Sequence, residues 1–313
     1  MPRTLTFTNG ADTFTQGGSA QNIGITLRML GGNDRVELTR NDDFGGGTVV
    51  DAGAGADVVI NLAENGSLIR LGSGNDTYAG GGFGSFATDR SDTVLGGTGN
   101  DFIAVTTFAS LYKGGTGNDR FLTVGWQNRY EGGAGRDSIS YAERDFDNTQ
   151  GGSGVTVDLG ARQAQTGANR FETLIGIEDV IGSGADDALF GTAGTNRLTG
   201  GMGLDQLAGR GGADVFVWRS VSEAAMAEDA IDLVQDFSTA QGDRLDLRGM
   251  DAVAGRAGNQ AFRFIEDDAF SGRAGQLRFA DQILSGDVNG DGIADFRIGL
   301  LDVSALAASD LLL

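Results

Sequence analysis

Three aspartates recur at a strict interval of 18 residues in the middle of the chain. Asp101, Asp119 and Asp137 each hold the sixth position of a nonapeptide, and the three nonapeptides are GGTGNDFIA, GGTGNDRFL and GGAGRDSIS. If the chain makes one coil every 18 residues, their carboxylates stack beside the carbonyl groups of the glycine-rich loops. Several oxygen ligands without nitrogen or sulfur suit Ca²⁺ better than Zn²⁺ or copper.

The same signature occurs in looser form on both sides of these repeats. Upstream, aspartates follow small or amide residues at intervals longer than 18 residues, which predicts insertions that bulge from a regular coil. Downstream, four contiguous nonapeptides fill residues 182–217: GSGADDALF, GTAGTNRLT, GGMGLDQLA and GRGGADVFV. Their spacing predicts Asp187 and Asp205 on one edge, with Asn196 and Asp214 on the other. A metal-free glycine–aspartate turn would explain one isolated match, whereas the ordered series favours cation sites.

Each good repeat predicts six loop residues followed by a short strand. Glycine at the first, second and fourth loop positions permits positive φ and close backbone approach, and asparagine beside the aspartate tolerates the left-handed region. The eighth residues, Ile103, Phe121 and Ile139, should point into the core.

Repeats of this kind predict an all-β protein with two blocks of stacked coils and a C-terminal β-rich capping region. Four segments follow: a first block with a one-sided calcium ladder at 1–140, connecting strands at 141–181, a second block at 182–217 and the C-terminal region at 218–313. Within that last region, residues 220–233 are the only stretch that suggests a helix.

Composition removes several classes of function. The chain of 313 residues has 54 glycines, no histidine, no cysteine and a formal net charge of −20. Without histidine and cysteine there is no Ser-His-Asp triad, no thiol catalysis and no histidine-ligated zinc site. The charge disfavours nucleic acid and anionic membranes as partners and suits multivalent cations. No apolar run is long enough for a transmembrane helix, and the start MPRTLTFTNG lacks the features of a secretory signal peptide.

Three further groups of residues are candidates for a site. Asp287, Asn289, Asp291 and Asp295 alternate as in an EF-hand-like loop, although Ile298 replaces the final bidentate glutamate, and a hairpin with Asx turns explains the segment equally well. Asp243 and Asp246 in GDRLDL are candidate ligands at the end of the roll. Phe108 and Trp126 share one loop position and should stack on the edge opposite the aspartates, either as edge packing or as a glycan or partner surface. Tyr112 and Tyr130 align in the same way at the inward position.

The nonapeptides resemble the RTX, or hemolysin-type calcium-binding, repeat family. GVTVDL, LIGIEDVIG, DLVQDF, GDRLDL and DVNGDGIADF also resemble the C-terminal part of serralysin-type secreted proteins. The RTX resemblance implies a parallel β-roll in two repeat blocks with a C-terminal β-rich capping and secretion region, and multiple Ca²⁺ ions in the loops. It also implies export by a type I secretion apparatus that reads an uncleaved C-terminal signal. The ligand position of the family falls on Asp34, Asp57, Asp76, Asp101, Asp119, Asp137, Asp187, Asp205 and Asp214, with Asp12 as a weaker match and Asn196 as a departure.

The resemblance also sets the functional expectation. Serralysin-like proteases carry a zinc-binding HExxH helix, and because this chain has no histidine we expect no enzymatic activity. In size and composition the chain is similar to small biofilm-associated RTX proteins. We therefore expect a secreted, extracellular protein associated with the cell surface and acting in adhesion or biofilm formation, with cell-surface polysaccharide or other surface components as partners. The alternatives are a calcium-dependent glycan-binding module and a non-catalytic partner of a separately encoded secreted enzyme.

Overall fold

The computed structural model describes residues 3–17, 24–39, 47–62, 66–81, 91–144, 154–224 and 230–313. The chain forms two compact units. The first consists of Met1–Glu143 with Arg162–Ile177, and the second of Arg144–Ala161 with Glu178–Leu313. The predicted connecting segment 141–181 is therefore divided between the two units.

The first unit is a parallel β-solenoid in which successive strands alternate between two sheets. One sheet contains β1 (Thr4–Thr6), β3 (Thr26–Arg28), β5 (Val49–Ala54), β7 (Leu68–Ser73), β9 (Thr93–Thr98), β11 (Leu111–Thr116) and β13 (Arg129–Ala134), each parallel to the next. The other contains β2 (Thr13–Thr15), β4 (Arg35–Leu38), β6 (Val58–Asn61), β8 (Thr77–Gly80), β10 (Phe102–Val105), β12 (Arg120–Thr123) and β14 (Ser138–Ser140). A hairpin of β16 (Gln163–Gly167) and β17 (Arg170–Ile175) closes the first sheet, because β17 pairs with β13 in parallel.

The register places identical repeat positions on top of one another. Ile103 pairs with Phe121, and Phe121 pairs with Ile139, and all three side chains are buried as predicted. Tyr112 and Tyr130 also pair, and their buried rings stack with centroids 5.4 Å apart. The core of this unit is thus a set of parallel columns, each built from one inward position.

The strands are longer than the repeat predicts. β9, β11 and β13 each have six residues and include the first three loop residues, such as Gly96, Gly97 and Thr98. The turn proper is reduced to three residues, Gly99, Asn100 and Asp101. The extra pairing follows from the close approach of the glycine backbones, since Gly97 pairs with Gly115 and Gly115 with Gly133.

The second unit repeats this plan with shorter strands. One parallel row contains β15 (Thr156–Asp158), β19 (Ala188–Phe190), β21 (Gln206–Ala208), β23 (Asp232–Val234) and β28 (Phe296–Leu300). The other contains β18 (Asp179–Ile181), β20 (Arg197–Thr199), β22 (Val215–Val217), β24 (Arg244–Asp246) and β29 (Leu311–Leu312). An antiparallel meander of β26 (Gln276–Ala280), β27 (Ile283–Asp287) and β28 follows, and β25 (Arg263–Phe264) pairs with β26.

The prediction of an all-β parallel β-roll is confirmed, but the helix predicted at 220–233 is not what the described residues form. Val221–Glu223 is a single 3₁₀ turn, and β23 begins at Asp232; residues 225–229 lie outside the described part. Leu233 donates its backbone N–H to Asp205, so pairing with the roll overrides helix propensity there. None of the helices in the described residues is long and apolar enough to cross a membrane.

Removing one core column position should destabilise the first unit strongly. Ile103→Ala takes a fully buried side chain from between Tyr78 and Phe121, and we expect the free energy of unfolding to fall by about 2–5 kcal/mol in a urea titration. Leu62→Ala is the matched control, because that side chain is 57% exposed and should change stability by less than about 0.5 kcal/mol. Equal effects of the two substitutions would contradict the described core.

Candidate cation sites along the aspartate ladder

One hydrogen bond repeats from coil to coil along an edge of the first unit. The backbone N–H of Asp101 donates to Oδ1 of Asp119 at 2.8 Å, and that of Asp119 donates to Oδ1 of Asp137 at 2.8 Å. The same bond links the earlier aspartates across their unequal insertions. We call this series the aspartate ladder; it consists of Asp12, Asp34, Asp57, Asp76, Asp101, Asp119 and Asp137.

The second carboxylate oxygen of the ladder has a different environment. Oδ2 is buried and accepts no hydrogen bond in Asp34, Asp57, Asp76, Asp101 and Asp119. All five residues are at most 2% exposed. A buried carboxylate oxygen without a partner is costly, so each of these oxygens needs a positively charged or hydrogen-bonding group that the protein itself does not supply.

At Asp101 this unpartnered oxygen faces a carbonyl of the following coil across a space that only glycine leaves free. A Cβ atom added to Gly96 would lie 2.3 Å from Oδ2 of Asp101 and 2.3 Å from the carbonyl oxygen of Gly114. Two oxygens around one point at this distance match the Ca²⁺–oxygen distance of about 2.3–2.6 Å. The first loop glycine is therefore required for space and does not have positive φ, whereas Gly97 and Gly99 at the second and fourth positions have φ of 114° and 122°.

This donor set fits a calcium ion. It consists of buried carboxylate and carbonyl oxygens, which are the ligands that Ca²⁺ prefers. Among the described residues, no group of three or more acidic, histidine or cysteine side chains converges on one point. A cation here would therefore be held by few carboxylates together with main-chain carbonyl oxygens.

Burial and mutual repulsion raise the pKa of the ladder carboxyls. Desolvation is the larger cause, and it raises the pKa of Asp57 to about 6 and that of Asp101 to about 7, with neighbouring ladder carboxylates adding to the shift. Burial also raises the pKa values of Asp34, Asp76 and Asp119. Without a neutralising charge, burial and the neighbouring carboxylates thus disfavour the ionised form of each of these carboxyl groups.

A second ladder, which the sequence analysis missed, runs beside the first. Oδ1 of Asn75 accepts the backbone N–H of Asn100 at 2.8 Å, and Oδ1 of Asn100 accepts that of Asn118 at 2.7 Å. These amides accept from the following coil, whereas the aspartates accept from the preceding one. The asparagines are not in the left-handed region, so their role is this coil-to-coil bond and not tolerance of positive φ.

The opposite edge of the first unit carries mostly neutral groups. The N–H of Ser67 donates to Oδ1 of Asp92, that of Asp92 to Oγ of Ser110, and that of Ser110 to Oδ1 of Asn128, at 2.8, 3.1 and 3.0 Å. Asp92 was missed because it has no glycine-rich motif before it, and its Oδ2 accepts from Asn61 at 3.3 Å.

Phe108 and Trp126 stack on that opposite edge, as their spacing predicts. Their rings are 5.6 Å apart and within 12° of parallel, and the guanidinium of Arg170 lies 4.3 Å from the centre of the Trp126 ring. Because β17 follows β13 in the sheet, Arg170 covers the face of Trp126 that Phe108 does not. Both faces of the indole are therefore occupied.

In the second unit, aspartates stack on both edges. Asp187 donates its N–H to Oδ1 of Asp205, and Asp205 donates to Oδ1 of Asp232; on the other edge Asn196 donates to Asp214, and Asp214 to Asp243. Oδ2 of Asp205 is buried without a hydrogen bond, and burial raises the pKa of this carboxyl to about 8.

Asp232 was missed because it follows Asp205 by 27 residues and not by 18. Its Oδ2 accepts from Nε1 of the buried Trp218 at 2.7 Å, and burial raises its pKa to about 6. Oδ2 of Asp232 therefore already has a hydrogen-bond donor, the indole N–H of Trp218.

The two candidates at the end of the roll differ. Asp243 accepts the backbone N–H groups of Asp214 and Ser238, each at 2.8 Å. Asp246 instead accepts from the guanidinium groups of Arg197 and Arg248, which lowers the pKa of its carboxyl well below the usual range. Two cations already neutralise Asp246, so the structure argues against it as a metal ligand.

The EF-hand-like segment forms the turn between β27 and β28. The two carboxylate oxygens of Asp287 accept the N–H groups of Gly290 and Gly292, and Oδ2 of Asp295 accepts that of Val288. Asn289 and Asp291 each accept the N–H of the residue two positions later. Asx turns of this kind are the geometry of the hairpin alternative, and calcium at this turn stays a prediction.

Comparison with known proteins identifies a family. The family model described as Peptidase M10 serralysin C terminal matches residues 5–313. No curated protein matches the chain.

The raised carboxyl pKa values predict that a calcium-free protein is stabilised by acid. The folded protein holds protons on Asp57, Asp101 and Asp205 up to about pH 6, 7 and 8, whereas an unfolded aspartate loses its proton near about pH 3.9. Stability from these protons is complete below that pH and is lost as the pH rises through the folded values. In EDTA, the melting temperature should therefore fall between pH 5 and about 8.

Calcium provides the control for this experiment. Binding of the cation requires the ionised carboxylates, so in millimolar calcium the melting temperature should not fall over the same range. A melting temperature that rises with pH in EDTA would contradict the described environment of the ladder.

Proposed function

The chain belongs to the serralysin C-terminal family of M10 peptidases, and on that premise we propose that it is a secreted calcium-binding β-roll that folds when it meets extracellular calcium. The observation that carries the proposal is the row of buried, unpartnered Oδ2 atoms, which at Asp101 faces the carbonyl of Gly114 in the next coil. We further propose that the folded roll acts without catalysis at the cell surface or in the extracellular matrix, in adhesion or biofilm formation.

The residues that would hold calcium are the ladder members with an open Oδ2. Asp34, Asp57, Asp76, Asp101 and Asp119 would do so in the first unit, and Asp205 in the second, together with carbonyl groups such as that of Gly114. When bound, the cation supplies the positive charge that these carboxylates lack and joins neighbouring coils. The Oδ1 hydrogen bonds hold the carboxylates in place for it.

The energies involved are sufficient for a folding switch. One site in which calcium stands at a hundred times its dissociation constant adds about 2.7 kcal/mol to stability. A typical folded domain is stable by only about 5–15 kcal/mol, so a few filled sites decide whether this chain folds. In the cytosol, where free calcium is scarce, carboxylate repulsion and the backbone entropy of 54 glycines favour the open chain that a type I secretion apparatus would export.

Non-catalytic action is supported by the chemistry of the side chains. The 313 residues contain no histidine and no cysteine. Most of the buried aspartates are held by ladder or loop hydrogen bonds, which keeps them from acting as a mobile acid–base pair. A separately encoded enzyme as partner is the remaining alternative, and the neighbouring genes test it.

Glycan binding through Phe108 and Trp126 receives less support. Sugar rings stack on an exposed aromatic face, and Phe108 and Arg170 cover the two faces of Trp126. We therefore assign this stack to packing of the edge. A glycan array that shows calcium-dependent binding lost in Trp126→Ala would contradict this assignment.

Circular dichroism in EDTA and in calcium tests the switch. One substitution should raise the stability of the folded chain in EDTA and lower it in calcium. Asp119→Asn keeps the Oδ1 acceptor for Asp101 but removes a buried charge. In EDTA the variant should be more stable than the wild type, because a repulsive ionised group has gone. In millimolar calcium it should lose about 2.7 kcal/mol of the stabilisation, the contribution of one filled site.

Asp51→Asn is the matched control, because Asp51 is a partly exposed surface residue paired with Arg70 and lies outside the ladder. It removes the same charge and should leave the calcium response unchanged. A wild-type chain that is as fully folded in EDTA as in calcium would refute the switch.

The surface role needs a genetic test. A strain that lacks the gene should attach less well to surfaces and show altered surface hydrophobicity, and the wild-type gene should restore both. A gene carrying Asp101→Asn and Asp119→Asn should restore neither. Unchanged attachment in the deletion strain would rule out adhesion while leaving the calcium switch intact.

A further inference from the structure

Nine loops of this chain fall into two classes, which the residue at the sixth position alone does not distinguish. In the first class, Oδ2 of the sixth loop residue is buried and accepts no hydrogen bond; its members are the loops of Asp34, Asp57, Asp76, Asp101, Asp119 and Asp205. In the second class, the side chain of the sixth residue accepts hydrogen bonds from the second residue of its own loop. The members of this class are the loops of Asp12, Asp187 and Asn196. We call the loops of the first class open and those of the second class closed.

The same two groups, a backbone N–H and a side-chain hydroxyl, donate the hydrogen bonds in all three loops of the second class. Thr8 donates its backbone N–H and its hydroxyl to Oδ2 of Asp12, at 2.8 and 2.7 Å. Thr192 donates the same two groups to Oδ1 of Asn196, at 2.7 and 3.1 Å. Ser183 donates its N–H to Oδ2 of Asp187 and its hydroxyl to Oδ1 of that residue at 2.9 Å.

Backbone conformation separates the two classes completely. In every open loop the second and fourth residues have positive φ, as in Gly115 and Gly117 at 120° and 121°. In the closed loops neither position does, even where the fourth residue is a glycine, as at Gly10 and Gly194. Glycine at the fourth position is therefore not sufficient to open a loop.

The residue type at the second loop position differs between the two classes. It is serine or threonine in each closed loop, and glycine in each open loop except that of Asp34, where Leu30 has φ of 73°. Leu30 adopts positive φ although this conformation costs a non-glycine residue about 1–2 kcal/mol. Positive φ, and not glycine as such, is therefore what accompanies the open carboxylate. Serine and threonine disfavour that conformation and supply two donors that fill the carboxylate instead.

We infer that the residue at the second loop position determines which repeats take up a cation, and that the loops ending at Asp12, Asp187 and Asn196 remain cation-free. This inference rests on the proposed calcium binding and goes beyond it, because Asp12 and Asp187 carry the motif aspartate and are nonetheless excluded. A cation at Asp187 would have to displace both hydrogen bonds from Ser183 and drive that residue into positive φ.

The loop at 191–196 allows the inference to be tested by gain of a site. It has the sequence GTAGTN, and the substitutions Thr192→Gly and Asn196→Asp together turn it into a full open-class loop. The space for a cation exists already, since a Cβ added to Gly191 would lie 2.5 Å from Oδ1 of Asn196 and 2.5 Å from the carbonyl oxygen of Gly209. We expect the double variant to bind one more calcium per chain than the wild type, counted by native mass spectrometry.

Two control variants isolate the second position. Asn196→Asp alone restores the carboxylate but leaves both donors of Thr192 in place. Thr192→Ala together with Asn196→Asp removes the hydroxyl but keeps the backbone N–H and a residue that disfavours positive φ. Neither should add a calcium ion. A gain in Asn196→Asp alone would overturn the inference, because the carboxylate and not the second position would then decide.

The outcomes also separate this inference from the proposed function. A wild-type chain that binds no calcium overturns both. A wild-type chain that binds calcium, together with an unchanged count in the folded double variant, overturns the inference alone. Crystals grown in calcium give a second reading, in which ions should lie at Asp101 and Asp119 and none should contact the carboxylate of Asp187.

Discussion

The half-satisfied carboxylate is the constraint on which the rest of this structure depends. Oδ1 of each ladder aspartate after Asp12 accepts the N–H of the aspartate one coil earlier, which fixes the register of consecutive coils. Oδ2 of the open loops is left buried and unpartnered. Removing a carboxylate from water without compensation costs several kcal/mol, so the interaction that aligns the coils also makes them unstable without a counter-charge.

The core of the first unit is built from narrow columns of side chains. Each short strand sends few apolar side chains inward, and the columns of Ile103, Phe121 and Ile139 or of Tyr112 and Tyr130 are only one residue wide. The turns must therefore supply stability as well as connectivity. The asparagine ladder does so with neutral hydrogen bonds, and the aspartate ladder does so only when its charge is neutralised. Stability of this roll is thus decided at its edges more than in its interior.

The features that could be predicted from the sequence are those that the 18-residue spacing of the repeats determines. Stacking of the nonapeptides, the inward columns and the pairing of Phe108 with Trp126 all follow from spacing alone. The period says nothing about partners that come from elsewhere, such as the two arginines on Asp246 or the indole on Asp232. The period also cannot separate Asp187 from Asp205, because both hold the sixth position of a loop and the difference lies at the second position, where Ser183 stands in one loop and Gly201 in the other.

The two edges of the first unit represent two solutions to the same problem. On one edge the carboxylates of successive coils need an added charge. On the other, Ser110 and Asn128 hold the coils with neutral groups, and Phe108, Trp126 and Arg170 form a stack of rings and a guanidinium. Those contacts need no ion, whereas the acidic edge has buried carboxylate oxygens that accept no hydrogen bond. If calcium binds as proposed, it would meet carboxylates that the Oδ1 hydrogen bonds hold in register, and less chain entropy would be lost on binding than with free carboxylates.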